Sequence, residues 1–388
     1  MSNTGKKEIL HQVFSPISPI EEINLFFGRK GQLEKVRDAI NEKGQHAILY
    51  GDRGVGKTSL ANIMSRSYTN LYAVKITCDR RDNFKTIWER IFDNIKIPYN
   101  TESIGFVKGE NKTEIYTLKN KISSVDELTP NILVDIINSL GETKLLFIID
   151  EFDNVRDDRT RSSFADLIKS LSDNNKNTTI LLVGIADSVE ELIGDHQSLE
   201  RCLKQVKMPR MKKEECEDII RNGMEKLEMK IDNSVKDKII DFSSGFPHYI
   251  HLLCKYGCEE LIDNSRTVFT DAYLKIAVKK GIENTAEQLR SSFRKGVLTS
   301  NNSNKWKDVI YSCCSCEIDE FNSFTISNVA KNYEKITGKQ SDIKYNLNQL
   351  TKEGRGEILV KLGKGKSTKY AFKNPMMRAF VKLKMNSE

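Results

Sequence analysis

The chain has 388 residues, of which 38% are hydrophobic and 30% charged, with a formal net charge of +7. That length calls for two or three domains with cores of their own, and that balance describes a globular chain and excludes a disordered one. No run approaches the roughly 18 apolar residues of a membrane span, and the polar opening MSNTGKKE lacks a signal-peptide core, so a cytoplasmic protein with no membrane contact is expected.

Residues 1–24 contain Pro16 and Pro19 and little periodicity, and read as an arm lying over the first domain. The phrase LFFGRK, residues 25–30, leads into a helical pattern at Leu33, Val36, Ala39 and Ile40. His46 to Tyr50 reads as a short buried strand. It runs into GDRGVGKTS, Gly51 to Ser59, which fits Gly-x-x-x-x-Gly-Lys-[Ser/Thr] at every fixed position and is followed by an apolar-faced helix. Strand, loop and helix in that order make the match a phosphate-binding P-loop. Its backbone at Gly51, Asp52, Arg53, Gly54, Val55 and Gly56 would wrap the phosphates, with glycines turning N–H groups inward and the helix N-terminus adding positive potential. Lys57 would reach the β- and γ-phosphates, the Thr58 hydroxyl would hold Mg²⁺, and Ser59 completes the cradle.

Leu71 to Cys78 alternates as a second strand, and Phe84 to Ile95 is an amphipathic helix. Residues 97–125 fit neither period; 104–107 and 114–118 are candidate arms of an inserted hairpin. A helix opens at Thr129-Pro130 and runs to about Leu140. Five apolar residues, Leu145 to Ile149, then describe a strand buried on both faces that ends in Asp150 and Glu151. At the C-terminal end of such a strand Asp150 is placed to hold Mg²⁺, and Glu151 to orient and deprotonate the attacking water. After a helix at 164–171, the strand Thr178 to Gly184 ends in a polar tip containing Asp187. Leu199 to Leu203 and Val206 to Arg210 lead out of the sheet domain, with Pro209 at the boundary. Helices follow at about 213–228, 232–243, 246–262 and 270–281, the second and third separated by Gly245-Phe246-Pro247-His248. The polar stretch 298–304 is a linker. The eight cysteines lie mostly on apolar faces without CxxC spacing, which suits buried reduced thiols.

Residues 305–388 hold 16 Lys plus Arg against 9 Asp plus Glu, whereas residues 1–304 hold 45 of each, so the whole positive excess lies in this last segment. A polyanion partner is to be sought there. Three helices (305–316, 327–336, 341–352) and two strands (357–362, 368–372) joined by a Lys364- and Lys366-bearing turn follow the order of a winged helix. The third helix is expected to expose Lys344, Asn346, Asn348 and Gln349 to phosphates and base edges, which makes DNA the expected partner and a protein contact the alternative.

This order of elements resembles the AAA+ ATPases, and within them the initiator group of origin-recognition ATPases, which borders on the STAND signalling ATPases. FFGRKGQLEKV resembles that group's adenine-side motif, which would put Gly28 and Arg29 against the base; a plain helix start is the alternative. SSGFPHYIHLL resembles the Gly-x-Pro lid motif, which implies nucleotide contact from Pro247 and His248. The resemblance covers about residues 25–290. It implies an α/β fold: an N-terminal arm (1–24), a P-loop AAA+ domain with a parallel sheet (25–210), a helical lid (211–298) and a C-terminal winged-helix domain (305–388). It further implies ATP and Mg²⁺ as cofactors, ATP hydrolysis, and self-association through ATP-bridged subunits, with Arg201 or alternatively Arg210 reaching a neighbour's phosphate. No Asn-Lys-x-Asp motif for guanine is present.

Two residues depart from the family pattern. Asp187 stands where Asn or Thr is usual, and an ionised carboxylate there would repel the γ-phosphate and slow hydrolysis unless it joined the Mg²⁺ shell. His248 stands where Arg is usual, and gives one donor in place of a charged fork, or simply caps its helix. The expected function is an ATP-driven switch that binds DNA, initiator-like or tied to a mobile element or defence. The alternative is a STAND-like regulatory or antiphage-defence ATPase whose winged helix contacts a protein.

Overall fold

The computed structural model describes residues 3–101, 112–123, 125–175, 177–186, 188–194, 199–299, 304–319, 322–363 and 368–387. They form two compact units, one of residues 19–209 and one of residues 1–18 with 210–388. Among the described residues no helix is long and apolar enough to cross a membrane.

The chain opens with α1 (Asn3–Val13), which belongs to the second unit. In the first unit the elements are α2 (Lys30–Asn41), β1 (His46–Gly51), α3 (Lys57–Arg66), β2 (Tyr72–Thr77), α4 (Phe84–Asp93), β3 (Lys96–Thr101), β4 (Lys112–Thr117), α5 (Lys119–Ser123), α6 (Pro130–Asn138), β5 (Leu145–Asp150), α7 (Asp158–Asn174), β6 (Thr178–Ile185), α8 (Glu190–Ile193) and β7 (Leu203–Lys207). Five strands make one parallel sheet in the order β2-β5-β6-β1-β7. Its central strands are apolar without alternation because helices cover both faces: β5 is buried at every position and β6 at all but its last. Against them Trp88 of α4 stacks on Phe164 of α7 and meets Phe147 of β5 edge-on, with centroids 5.2 Å apart in the second pair. Local signals start these helices: an Asn83–Thr86 capping box for α4, Thr129 with Pro130 for α6, and Asp157 accepting from the Arg159 and Thr160 N–H groups for α7.

The parallel register brings the C-terminal ends of four strands to one edge, where Thr77 pairs with Asp150 and Gly51 with Ile185. At the other end His46 is fully buried, and its Nδ1 accepts the Ile180 N–H at 3.0 Å. Burial lowers its pKa to about 4. The folded value lies below the unfolded one of about 6.5, so this residue's contribution is complete above pH 6.5 and is lost as pH falls toward 4, a difference of about 3 kcal/mol. Urea midpoints of wild type and His46→Asn should therefore converge on acidification from pH 7.5 to 4.5. Parallel midpoints across that range would show that the ring is not held neutral.

The inserted hairpin is antiparallel, from Lys96 opposite Thr117 to Thr101 opposite Lys112. Its first arm thus lies earlier than the expected 104–107, a stretch outside the described residues. Pro98, which cannot donate to a ladder, is compatible with a two-stranded ribbon because each strand has an unpaired edge.

The second unit continues with α9 (Lys213–Lys226), β8 (Lys230–Ile231), α10 (Asn233–Ser243), α11 (Pro247–Asp263), β9 (Val268–Phe269), α12 (Asp271–Glu283), α13 (Glu287–Val297), α14 (Lys305–Cys314), β10 (Phe324–Thr325), α15 (Ile326–Thr337), α16 (Lys344–Gln349), β11 (Leu359–Leu362), β12 (Lys369–Phe372) and α17 (Met377–Met385). The opening residues are not the aperiodic arm that was expected over the first domain. They form α1, whose end buries Leu10, Val13 and Phe14 within this second unit. The Phe14 ring lies over Gly223 of α9, where any Cβ would collide with it. The signal was missed because α1 buries only its last turn.

In the C-terminal part β12 pairs antiparallel with both β10 and β11. Strand β10 is too short to show a period, and α17 follows β12 after only a brief turn, so neither was foreseen. The third helix is shorter than the expected 341–352 and turned differently. Asn346 is 4% exposed, and the Asn348 side-chain carbonyl accepts the Tyr370 hydroxyl at 2.7 Å. The exposed side chains are Lys344 and Tyr345. All eight cysteines are buried thiols; burial pushes that of Cys314 up to about 12.

Candidate nucleotide site

The site is built at the C-terminal edge of the sheet in the first unit. Strand β1 delivers Gly51, whose φ is 143° and whose missing Cβ would run into the Met208 carbonyl oxygen. No other residue fits there. Gly56, with φ of 97°, precedes the first turn of α3 and lets the loop fold back so that the helix begins at Lys57. Lys57 is 8% exposed, and its ammonium donates to the loop's own Gly51 and Asp52 carbonyls at 2.9 and 2.8 Å. Burial lowers its pKa to about 8 against the opposing pull of Asp153, Asp52 and Asp150.

Strand β5 ends beside α3, so that Thr58 Oγ1 lies 3.4 Å from Asp150 Oδ1. A hydroxyl and a buried carboxylate at that spacing are hard oxygen donors of the kind Mg²⁺ takes. The other carboxylate oxygen, Oδ2, is 3.0 Å from the Lys75 ammonium of β2, which also donates to the Asn62 side chain of α3 at 2.5 Å. Lys75 was not foreseen, although a lysine in the middle of a strand of a buried sheet was a signal. It holds Asp150 in one rotamer and offsets its charge in a site where an unpaired carboxylate would be costly.

Glu151 leaves the strand in the left-handed region, φ 54°, and its exposed carboxylate accepts from the Asn154 side-chain amide at 3.1 Å. The same amide donates to the Cys78 carbonyl at 3.2 Å, tying the carboxylate to the end of β2. Asp153 accepts the Ile185 N–H at 2.8 Å and fixes the tip of β6. Asn154 and Asp153 also escaped the sequence reading, though both follow Glu151 closely. Asp187 lies outside the described residues.

Gly28 and Arg29 both adopt positive φ, 73° and 59°. Arg29 is 1% exposed, and its guanidinium donates to the Val55 carbonyl at 3.1 Å. The turn therefore supports the loop from within, and a guanidinium so buried is not a surface for a base. Arg53 is exposed, and the Ser59 hydroxyl accepts the Ile20 N–H at 3.1 Å.

Arg201 precedes β7, whose Leu203 pairs with His46 at the start of β1, so it stands at the end of the sheet opposite its own P-loop. Its exposed side chain pairs with Asp173 at 3.4 Å, a surface contact that costs little to break. Arg210 lies over the Phe246 ring at 4.8 Å in the second unit. That unit also holds Pro247, the first residue of α11, and His248. His248 Nδ1–H donates to the Pro16 carbonyl at 2.8 Å, and burial lowers its pKa. The neutral ring thus keeps an acceptor at Nε2, not the donor expected for a phosphate.

Comparison with known proteins bears on this geometry. The sequence profile described as Novel STAND NTPase 1 matches residues 19–299. No curated protein matches the chain. Among solved structures it is similar to the Walker-type ATPase PABY2304 of Pyrococcus abyssi, at 15% identity over 95% of this chain and 99% of that one, with a TM-score of 0.51, a likeness of fold. It is also similar at 14% identity to the ORC1 protein of Aeropyrum pernix in complex with DNA (98% and 96% covered, TM-score 0.47). The Cdc6p of Pyrobaculum aerophilum is similar at 14% identity (97% and 99% covered, TM-score 0.48). The five-stranded parallel sheet carrying a P-loop, with helices on both faces, is a P-loop NTPase architecture. Because the profile spans well over half of the sequence, and takes in the P-loop, the Asp150–Glu151 strand end and the helices after the sheet, the chain belongs to the Novel STAND NTPase 1 family.

Proposed function

We propose that this protein binds ATP with Mg²⁺, hydrolyses it to ADP and phosphate, and uses the nucleotide state to control a DNA contact made by residues 305–388. The observation that carries the first part is the convergence of Lys57, Thr58 and Asp150 on one edge of the sheet. On nucleotide binding Lys57 exchanges its two loop carbonyls for phosphate oxygens. Thr58 and Asp150 would hold Mg²⁺, which offsets the phosphate charge when bound. Glu151, aimed by Asn154, accepts the proton of the attacking water. Exposed Arg201 is the group offered to the nucleotide of a second copy, so self-association would complete the site.

Support for DNA comes from the excess charge of the last segment and from its order of elements, α14, α15 and α16 followed by the β11–β12 ribbon, which would suit a winged helix. Lys344 on α16 and Lys361 on β11 are exposed, while Lys369 is paired with Asp319 at 2.8 Å. Lys364 and Lys366 are outside the described residues and stand between the two strands in sequence. Such a protein fits an initiator-like, mobile-element or antiphage-defence role in the cytoplasm. A second reading, a protein-binding STAND switch, is favoured by the apolar exposure of Tyr345, Val360 and Leu362 on the same elements.

Mobility shifts of duplex DNA across a salt series, with and without ATP, test the choice. Replacing Lys361, Lys364 and Lys366 together should weaken binding on every sequence and lower the slope of log K against log salt by about 0.9 for each phosphate that is no longer neutralised. Wild-type protein without salt-sensitive DNA binding would shift the reading to the protein partner.

A further inference from the structure

A cavity of about 750 Å³ opens among α12, α13 and α17 of the second unit. Five cations line it: Lys275 and Lys279 one turn apart on α12, Arg290 and Arg294 one turn apart on α13, and Lys384 on α17. Like charges four residues apart destabilise a helix. Two such pairs directed at one space bring no folding advantage. Asp271 lies 3.7 Å from Lys275, and Glu287 lies 3.6 Å from Arg290 and 3.4 Å from Arg294. Glu283 is in the wall itself. Asp271 is also paired with Lys238 at 2.5 Å, so these three carboxylates leave at least two of the five cations unbalanced, and among the described residues neither Lys279 nor Lys384 has an ion-pair partner.

Part of the lining is apolar: Ile282 of α12 and Val297 of α13 contribute to it, and Phe293 packs edge-on against Phe380 with centroids 5.7 Å apart. The volume is that of a small-molecule site, and a lining that combines cations with apolar side chains suits a compact anion with a flat apolar part. Arginine forks match phosphate oxygens in pairs, and lysines add point charge.

We propose that this cavity binds a nucleotide of one or two residues, with phosphate on Lys279, Arg294 and Lys384 and the base against Ile282 and Val297. Glu283 supplies an acceptor for an exocyclic amino group, which favours adenine over uracil. The ligand is either a free nucleotide or the end of a nucleic-acid strand. The proposal is independent of the P-loop and of the duplex contact proposed above.

Calorimetric titration of the full chain with the 5′-phosphorylated dinucleotides pApA and pUpU, and with a single-stranded dA oligomer, provides the test. The P-loop contributes equally to wild type and variant, so the difference between them reads the cavity. Lys279→Glu with Lys384→Glu should raise the Kd for pApA at least tenfold, while both changed to Arg should preserve it, and pUpU should bind more weakly than pApA. Loss for pApA identifies a free nucleotide as the ligand; loss for the oligomer alone identifies a strand end. If the charge-reversed protein unfolds, the Gln pair at the same positions gives the same reading. Equal binding of both probes by wild type and variant, or binding of neither by wild type, overturns the proposal.

Discussion

Lys57→Ala is expected to abolish nucleotide binding, raising the Kd for ATP by at least about 100-fold, since a buried charge-assisted contact to phosphate is worth several kcal/mol. The side chain is held at the mouth of the loop by the Gly51 and Asp52 carbonyls, so it is already ordered where the β- and γ-phosphates would lie. Little conformational entropy remains to be lost when it turns to them. Fluorescent-nucleotide titration reads the effect, and a thermal melt of the variant establishes that the domain stays folded. A Kd within threefold of wild type would mean that the loop is a structural turn and that the site lies elsewhere.

Glu151→Gln should leave ATP affinity intact and reduce turnover by about 10² to 10⁴, the range for loss of a positioned general base. The amide keeps the shape of the side chain but cannot take a proton. Geometry favours Glu151 over its neighbours: Asp150 is engaged by Thr58 and Lys75, and Asp153 by the Ile185 N–H, whereas the Glu151 carboxylate is exposed and steadied by one amide from Asn154. Phosphate release from the variant at the wild-type rate would move the base to another carboxylate, with Asp187 next in line.

How much of this was legible in advance depended on how local each signal was. The P-loop is nine contiguous residues, so its pattern, its strand and its helix stand together in the chain. The strand ending in Asp150 and Glu151 declared itself because a strand covered on both faces needs an unbroken apolar run, which is a local property. From these two stretches the α/β P-loop architecture follows. The contacts that refine the site are not local. Arg29 meets Val55 across 26 residues and His248 meets Pro16 across 232, and neither separation leaves any period to read. The pairing of Lys75 with Asp150 exists because β2 lies beside β5 in a register that sets Thr77 opposite Asp150, and register is decided by the packing of the whole sheet. Asn346, polar and expected outside, is buried because α16 is short and turns its neighbour Tyr345 outward. The sequence by itself thus determined the phosphate-binding chemistry, which resides in backbone and adjacent side chains. The tertiary structure alone decided which cations steady the carboxylates, which ring nitrogen of His248 remains available, and which residues of α16 are exposed, because each is set by elements that meet only when the core is packed.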